Sequence, residues 1–320
     1  MIMPFVRQSF SLDRRQAHAI HAAFLDVIGP EPSAAAARLL ETCATTLEVD
    51  SDEPPSASPI ADVLPDPQAR RAVVEALVVA ACIDAEVTQQ RQHAVESIAV
   101  AAGVRSPWVA LLGALRRRRA GSVKRALMRR SPDARRLFAR LWAEEGVRGL
   151  WYALRFMTGR HRDPPLAARF RALAQLADDT LGRRFFDHLE GRGLAFPGEA
   201  GGLPERMIHH DLMHVLADCG TDPAGECELA GFYAGFTSAH DLGDAFTFIA
   251  TALATFQLGM AVSPAVVTPA VGAFDPARVL DGFLRGRQLA VDVMGAWDYW
   301  SLMPLPLDEA RARLGIPASA

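Results

Sequence analysis

Apolar residues recur every three or four positions along most of the chain, and alternating β-branched runs are scarce. That pattern predicts an all-α protein. Residues 12–47 read as a helix pair, broken at Gly29-Pro30 and Pro32-Ser33. Between 50 and 68, Pro54, Pro55, Pro59, Pro65 and Pro67 stand among several acids, the composition of a linker or extended surface loop. Helical spacing resumes over 69–83 and 88–102, with Thr88 as the cap of the second helix and Gly103 as its end. Arg116 to Arg119 are four in a row; on a helix they cover all faces, so no face there is expected to be deeply buried. Val147, Leu150, Trp151, Leu154 and Met157 then form an apolar stripe, flanked by Arg148 and Arg155 and closed by Arg160-His161-Arg162. Residues 245–274 contain no charge. Thr247, Thr251, Thr255 and Gln257 dilute that run and Pro264 interrupts it, so it predicts a buried helix and a candidate wall for an apolar ligand pocket, in preference to a membrane span.

Composition sharpens this outline. The 320 residues are 50% hydrophobic and 22% charged, enough to build a large core and too apolar for a disordered chain. Four cysteines exclude a disulfide-stapled scaffold and suggest a reducing, cytoplasmic setting, and residues 1–12 lack the apolar segment of a signal peptide. The net charge of −3 is unevenly placed: residues 1–104 carry −7, residues 105–162 carry +13 and residues 163–320 carry −9. Those three segments are the expected divisions of the chain. The basic segment is expected to seek phosphates or an anionic membrane surface, to which the protein would attach peripherally. No nucleic-acid-binding motif accompanies the charge, so nucleic acid is not an expected partner. The stripe over 147–157 fits an amphipathic helix packed on a neighbour with its arginines reaching water, in preference to a helix lying on a membrane.

The chemistry concentrates in one passage. Pro204 suits a first helical turn, and the helix that follows carries His209, His210, Asp211 and His214. At about 100° per residue, His210, Asp211 and His214 share one sector, while His209 points outward or supports the others. Gly220 is expected to end this helix, with Asp222 and Pro223 as cap and first residue of the next. Glu226 then falls in the first turn of the second helix and folds back toward the histidines. Two imidazoles with one or two carboxylates suit a divalent ion of zinc type, with an open position for water or substrate. Cys219 and Cys227 flank the turn and read as buried free thiols. His240-Asp241 reads as a loop feature. Asp84 and Glu86 lie in a short turn as solvated acids, too few oxygen donors for calcium.

Two resemblances add to this reading. The helix–acidic turn–helix over 69–104 resembles the tellurite-resistance TerB-like helical module. His210-Asp211-Leu212-Met213-His214 followed by Glu226 has the H-D-x-x-H, eleven residues, Glu spacing. Asp179-Thr180-Leu181-Gly182 precedes it; Trp297-Asp298-Tyr299-Trp300, Pro304-Leu305 and Arg311 to Ile316 follow it. Over residues 165–317 the chain resembles the fourth coenzyme-Q (ubiquinone) biosynthesis protein family. That resemblance implies an all-α metal- and lipid-binding domain, a divalent ion taken as zinc, and His210, Asp211, His214 and Glu226 as the metal-site and catalytic residues. It further implies a prenylated aromatic precursor as substrate, peripheral membrane attachment, a homo-oligomer, and other quinone-biosynthesis proteins as partners. The activity implied is oxidative decarboxylation at ring carbon one, or a lipid-binding organiser role without chemistry. A zinc hydrolase is a further reading, because H-D-x-x-H is close to the H-E-x-x-H of metallopeptidases.

Overall fold

The computed structural model describes residues 11–50, 58–148, 162–238, 242–262, 268–294 and 297–317. Among them the fold is all-helical and no strand is present. The chain divides into two compact units, Met1–Arg130 with Thr221–Arg287, and Ser131–Gly220 with Gln288–Ala320. These boundaries lie elsewhere than the changes in charge, because packing contacts and not net charge define a compact unit.

In the first unit the helix ends follow from local side chains. Asp13 and Gln16 form a reciprocal capping box at the start of Arg14–Ile28, the Gln16 amide donating to Asp13 Oδ1 at 2.8 Å and the Asp13 amide to Gln16 Oε1 at 3.0 Å. Gly29 ends that helix, and Ser33 caps Ala34–Leu47. The helix Pro67–Cys82 forms the centre of the unit: every residue from Ala72 to Cys82 is buried. Glu75 lies within that buried run and is matched by Arg71 Nε at 2.9 Å and by the Ser106 hydroxyl at 3.0 Å.

Three expectations change here. The linker predicted over 50–68 is shorter than its prolines suggest. Ile60–Val63 forms a helical turn, Ile60, Val63 and Leu64 are buried, and Pro67 is the first residue of a helix capped by Asp66; residues 51–57 lie outside the described residues. The four arginines do not continue one helix. Pro107–Arg116 ends at the first of them, Arg118 takes the left-handed region at φ 49°, and Ala120–Arg130 starts a new helix. Arg116 Nε donates to Gln92 Oε1 at 2.8 Å, and an Arg118 guanidinium nitrogen donates to the Leu258 carbonyl at 2.6 Å. Asp84, finally, is bound by the Arg91 guanidinium and the Ser33 hydroxyl, so it ties two helices together while staying partly exposed to water.

The first part of the uncharged run, residues 245–260, is core, whereas Val271 is exposed. Leu242–Ala252 continues as a π-helix over Leu253–Gln257, Phe246 packs on Trp108 with ring centroids 5.6 Å apart, and Gln257 is tied to the Ile83 carbonyl and the Phe274 amide. Among the described residues no helix is long and apolar enough to cross a membrane. Pro223–Ser238 and Pro276–Gly286 pack backbone to backbone through glycines spaced four apart on both helices. A Cβ on Gly231 or Gly235 would meet a carbonyl oxygen of the partner helix at 2.3 or 2.0 Å, and one on Gly282 or Gly286 at 2.3 or 1.9 Å. Glu228 bridges Arg278 and Arg285 across the same pair.

In the second unit the passages flanking the histidine helix meet each other. Thr180 caps Leu181–Glu190. The Leu181 amide donates to the Leu305 carbonyl and the Gly182 amide to the Met303 carbonyl, each at 2.8 Å. A Cβ at position 182 would stand 2.9 Å from that Met303 oxygen and closer still to Leu176, which explains the glycine. Trp300 packs on Phe170 and lies under the Arg169 guanidinium, 3.5 Å from its ring centroid. Glu205 accepts from the Trp300 indole at 3.0 Å and from the Tyr299 hydroxyl. Burial, with Glu205 adding to it, holds the Tyr299 hydroxyl protonated far above its usual range. Residues 149–161, which carry most of the predicted apolar stripe, lie outside the described residues.

Candidate metal centre

The helix that carries the motif is His209–Leu216, shorter than predicted: Pro204 precedes a separate 3-10 turn, Glu205–Met207. Its C-terminus is closed twice. Arg311 donates from Nε to the Leu216 carbonyl at 2.9 Å and from a terminal nitrogen to the Val215 carbonyl at 3.2 Å. The Cys219 amide reaches back to the His214 carbonyl at 3.1 Å, a Schellman-type closure. The left-handed residue of that closure is Asp218 at φ 53°, not Gly220 as the sequence suggests. An Asp is one of the few non-glycine residues that tolerates this region.

The same turn orients a side chain. His214 Nδ1 lies 3.0 Å from the Cys219 carbonyl oxygen. A carbonyl only accepts, so Nδ1 carries the hydrogen and the lone pair is on Nε2. His210 sits one turn earlier, its ring nearly perpendicular to that of His214 at 89°, with centroids 5.1 Å apart. After the turn, Asp222 caps the next helix by accepting from the Gly225 amide at 3.0 Å, and Pro223 is the first helical residue. Glu226 follows in the first turn, as the spacing predicts. One atom from each of His210, His214 and Glu226 lies within 4.8 Å of the other two. These three can hold a metal ion. The donor set of two imidazole nitrogens and one carboxylate oxygen fits zinc or a similar divalent ion, and it leaves room for an exchangeable ligand.

Asp211 is next to His210 on the helix and is not part of this mutually close group. His209 is buried, not outward-facing. Cys219 and Cys227 are buried; the Cys219 thiol lies 3.7 Å from the Ala217 carbonyl. Burial, reinforced by Glu226, pushes the Cys227 thiol up to about 12, and neither cysteine belongs to the mutually close group of ligand atoms. His240-Asp241 lies outside the described residues.

Two parts of the centre carry no signal in the sequence. One is the Cys219 carbonyl, since any residue supplies a carbonyl. The other is His188, on Leu181–Glu190, whose buried ring stacks on that of His214 at 24° with centroids 5.6 Å apart. Both rings line a pocket of about 630 Å³ whose rim includes Arg184, Asp187, Arg192 and Arg311. It is polar, and no residue of the uncharged run lines it.

Compared with known proteins, the chain matches no protein-family model and no curated protein. The structure therefore defines an all-helical protein with a candidate His-His-Glu metal centre, and function is argued from that centre.

Proposed function

We propose that this is a divalent-metal protein of prenylated-quinone metabolism, with oxidative decarboxylation at ring carbon one of a prenylated aromatic precursor as its activity: the ring–carboxyl bond breaks, carbon dioxide leaves, a hydroxyl from water takes its place, and two electrons pass to an external two-electron oxidant. The convergence of His210, His214 and Glu226, in the order and spacing of H-D-x-x-H…E, carries the reading. A zinc-type ion bound there supplies a Lewis acid that stabilises negative charge developing on a substrate oxygen. His214 keeps its hydrogen on Nδ1, toward Cys219, and presents Nε2 to the ion. Glu226 supplies anionic charge to balance the cation. Arg184 and Arg192, on the rim of the pocket that His214 lines, attract an anionic group on an incoming substrate.

Attachment to an anionic membrane is part of the same proposal. It is supported by Phe138 and Trp142, which are 44% and 60% exposed on the Pro132–Glu145 helix of the basic segment. Against a purely electrostatic attachment, several arginines of that segment are used internally: Arg136 pairs with Asp292 at 2.9 Å, and Arg130 lies over Trp108. The partners this reading expects are a second copy of the chain and other proteins of quinone assembly.

Metal analysis of purified protein beside His210→Ala, His214→Ala tests the centre; equal metal content in both removes it. Mass spectrometry of quinone precursors in a strain lacking the protein tests the reaction. A carboxylated prenyl intermediate is expected, and a normal quinone profile removes the reading. If Glu226→Gln strips the metal and leaves quinone production intact, the protein is an organiser without chemistry.

The position of Asp211 favours a second reading. In H-E-x-x-H metallopeptidases the acid beside the first histidine is a general base and not a ligand, and Asp211 lies outside the group of three. A zinc hydrolase would turn over simple esters or peptides with added zinc and lose that turnover in Asp211→Asn. Absence of turnover in the wild-type protein removes this reading.

A further inference from the structure

We propose that His188 is a positioning residue of the metal centre: its imidazole is a flat plate that, with the Cys219 carbonyl, holds His214 in the orientation that presents Nε2 to the ion. This rests on the His210-His214-Glu226 metal reading and goes beyond it.

The argument is geometric. An imidazole on a helix has two torsions to fix before its nitrogen is aimed. The Nδ1 contact with the Cys219 carbonyl, 3.0 Å, acts in the plane of the ring and selects one of its two edges. That contact leaves the ring able to tilt about the hydrogen bond. Tilting is blocked only by something against its face, and His188 stands there, stacked at 24° with ring centroids 5.6 Å apart. Both rings are buried, at 7% and 4% exposure for His188 and His214. The backbone behind the plate is also held, since the Arg192 guanidinium donates to the His188 carbonyl at 3.2 Å.

The same geometry argues against His188 as a fourth ligand. Ring-nitrogen lone pairs lie in the ring plane. Two nearly parallel rings therefore direct them side by side, whereas the perpendicular pair His210 and His214 can converge. The group of mutually close ligand atoms accordingly contains His210, His214 and Glu226 without His188. Partners that orient a ligand typically change metal affinity by about 10- to 100-fold when lost.

The test uses Co(II) as the probe, titrated into the full-length protein in competition with a chelator, with the visible d–d band recorded. His188→Leu removes the plate while filling its volume, and His188→Phe keeps a flat ring. Expected are about 10-fold or greater weakening and a shifted band for His188→Leu, and affinity within about threefold of wild type with an unchanged band for His188→Phe. Melting curves of the metal-free variants separate loss of fold from loss of positioning. Wild-type affinity and band in His188→Leu overturn the inference, and so does a His188→Phe variant as weak as His188→Leu. In the wild-type protein, two-bond 1H–15N spectra of His214 should show the Nδ1–H tautomer before metal is added; the Nε2–H tautomer also overturns it. If wild-type protein binds no cobalt, the metal reading itself falls and this inference with it. Cobalt bound alike by wild type and His188→Leu removes this inference alone.

Discussion

Replacing Gly235 by Ala adds a single methyl group at the closest approach of two helices. Its Cβ would stand 2.0 Å from the Phe283 carbonyl oxygen and 3.1 Å from the Arg287 amide. Ordinary contact begins near 3.4 Å, so Pro223–Ser238 and Pro276–Gly286 must part by about 1.4 Å at that point. Both obstructing atoms are backbone, so no rotamer change relieves the clash. Gly231, Gly282 and Gly286 make equally close approaches along the same seam, and opening it at one point loosens contact at all four. A radial gap of about 0.5–1 Å already forfeits a quarter to a half of the dispersion energy across it. Overpacking usually costs about 1–3 kcal/mol, and a backbone–backbone clash belongs at or beyond the upper end. For about 3 kcal/mol in a unit of this size, the melting temperature should fall by roughly 6–12 °C. The assay is thermal unfolding followed by circular dichroism, with Gly121→Ala as control. Gly121 lies in the Ala120–Arg130 helix with nothing within 4 Å of an added Cβ, so that change should be neutral or stabilising by up to about 1 kcal/mol. A Gly235→Ala protein that melts within a degree or two of wild type would falsify the backbone-contact account of this helix pair.

Three further outcomes follow from the same structure. Glu226→Gln should lower bound metal sharply while Asp211→Asn leaves it near wild type, as read by metal analysis after dialysis; equal loss in both would make Asp211 a ligand. The Cys227 thiol, held near 12 by burial, should resist iodoacetamide at pH 8 in the folded protein and react fully in denaturant; rapid labelling of the native protein would contradict its burial. Glu199 has its carboxyl held below the usual range, first by the hydrogen bond from Arg171, which lies 2.6 Å away. A depressed folded value means that this stabilisation is fully present above the unfolded value near 4.5 and is lost as pH falls through the folded value. The melting temperature should therefore drop less steeply below about pH 4.5 in Glu199→Gln than in wild type, and identical slopes would show that the pair adds nothing.

Much of the local structure is legible in the chain. Asp13, Ser33, Asp66, Thr88, Thr180 and Asp222 are short polar residues that accept from amides at helix starts. Their effect is confined to one turn, so neighbouring residues suffice to read it. The spacing of His210, His214 and Glu226 was legible for the same reason. An i, i+4 pair shares a helix face, and a short turn brings the next helix's first residues alongside. Where the local reading failed, a longer-range contact decided. Leu64 and its neighbours entered the core despite the prolines, and Arg118 turned aside to reach the Leu258 carbonyl, 140 residues away in sequence.

Sequence alone thus determined an all-helical chain and four candidate ligands, His210, Asp211, His214 and Glu226, of which the structure brings three together, because helix periodicity and capping are short-range physics. Tertiary structure alone decided how the centre is held. The orientation of His214 depends on a backbone carbonyl five residues on and on the ring of His188, 26 residues before it. Neither leaves a mark in residue type or spacing. A carbonyl is common to every residue, and a ring can stack only after packing has brought the two helices together.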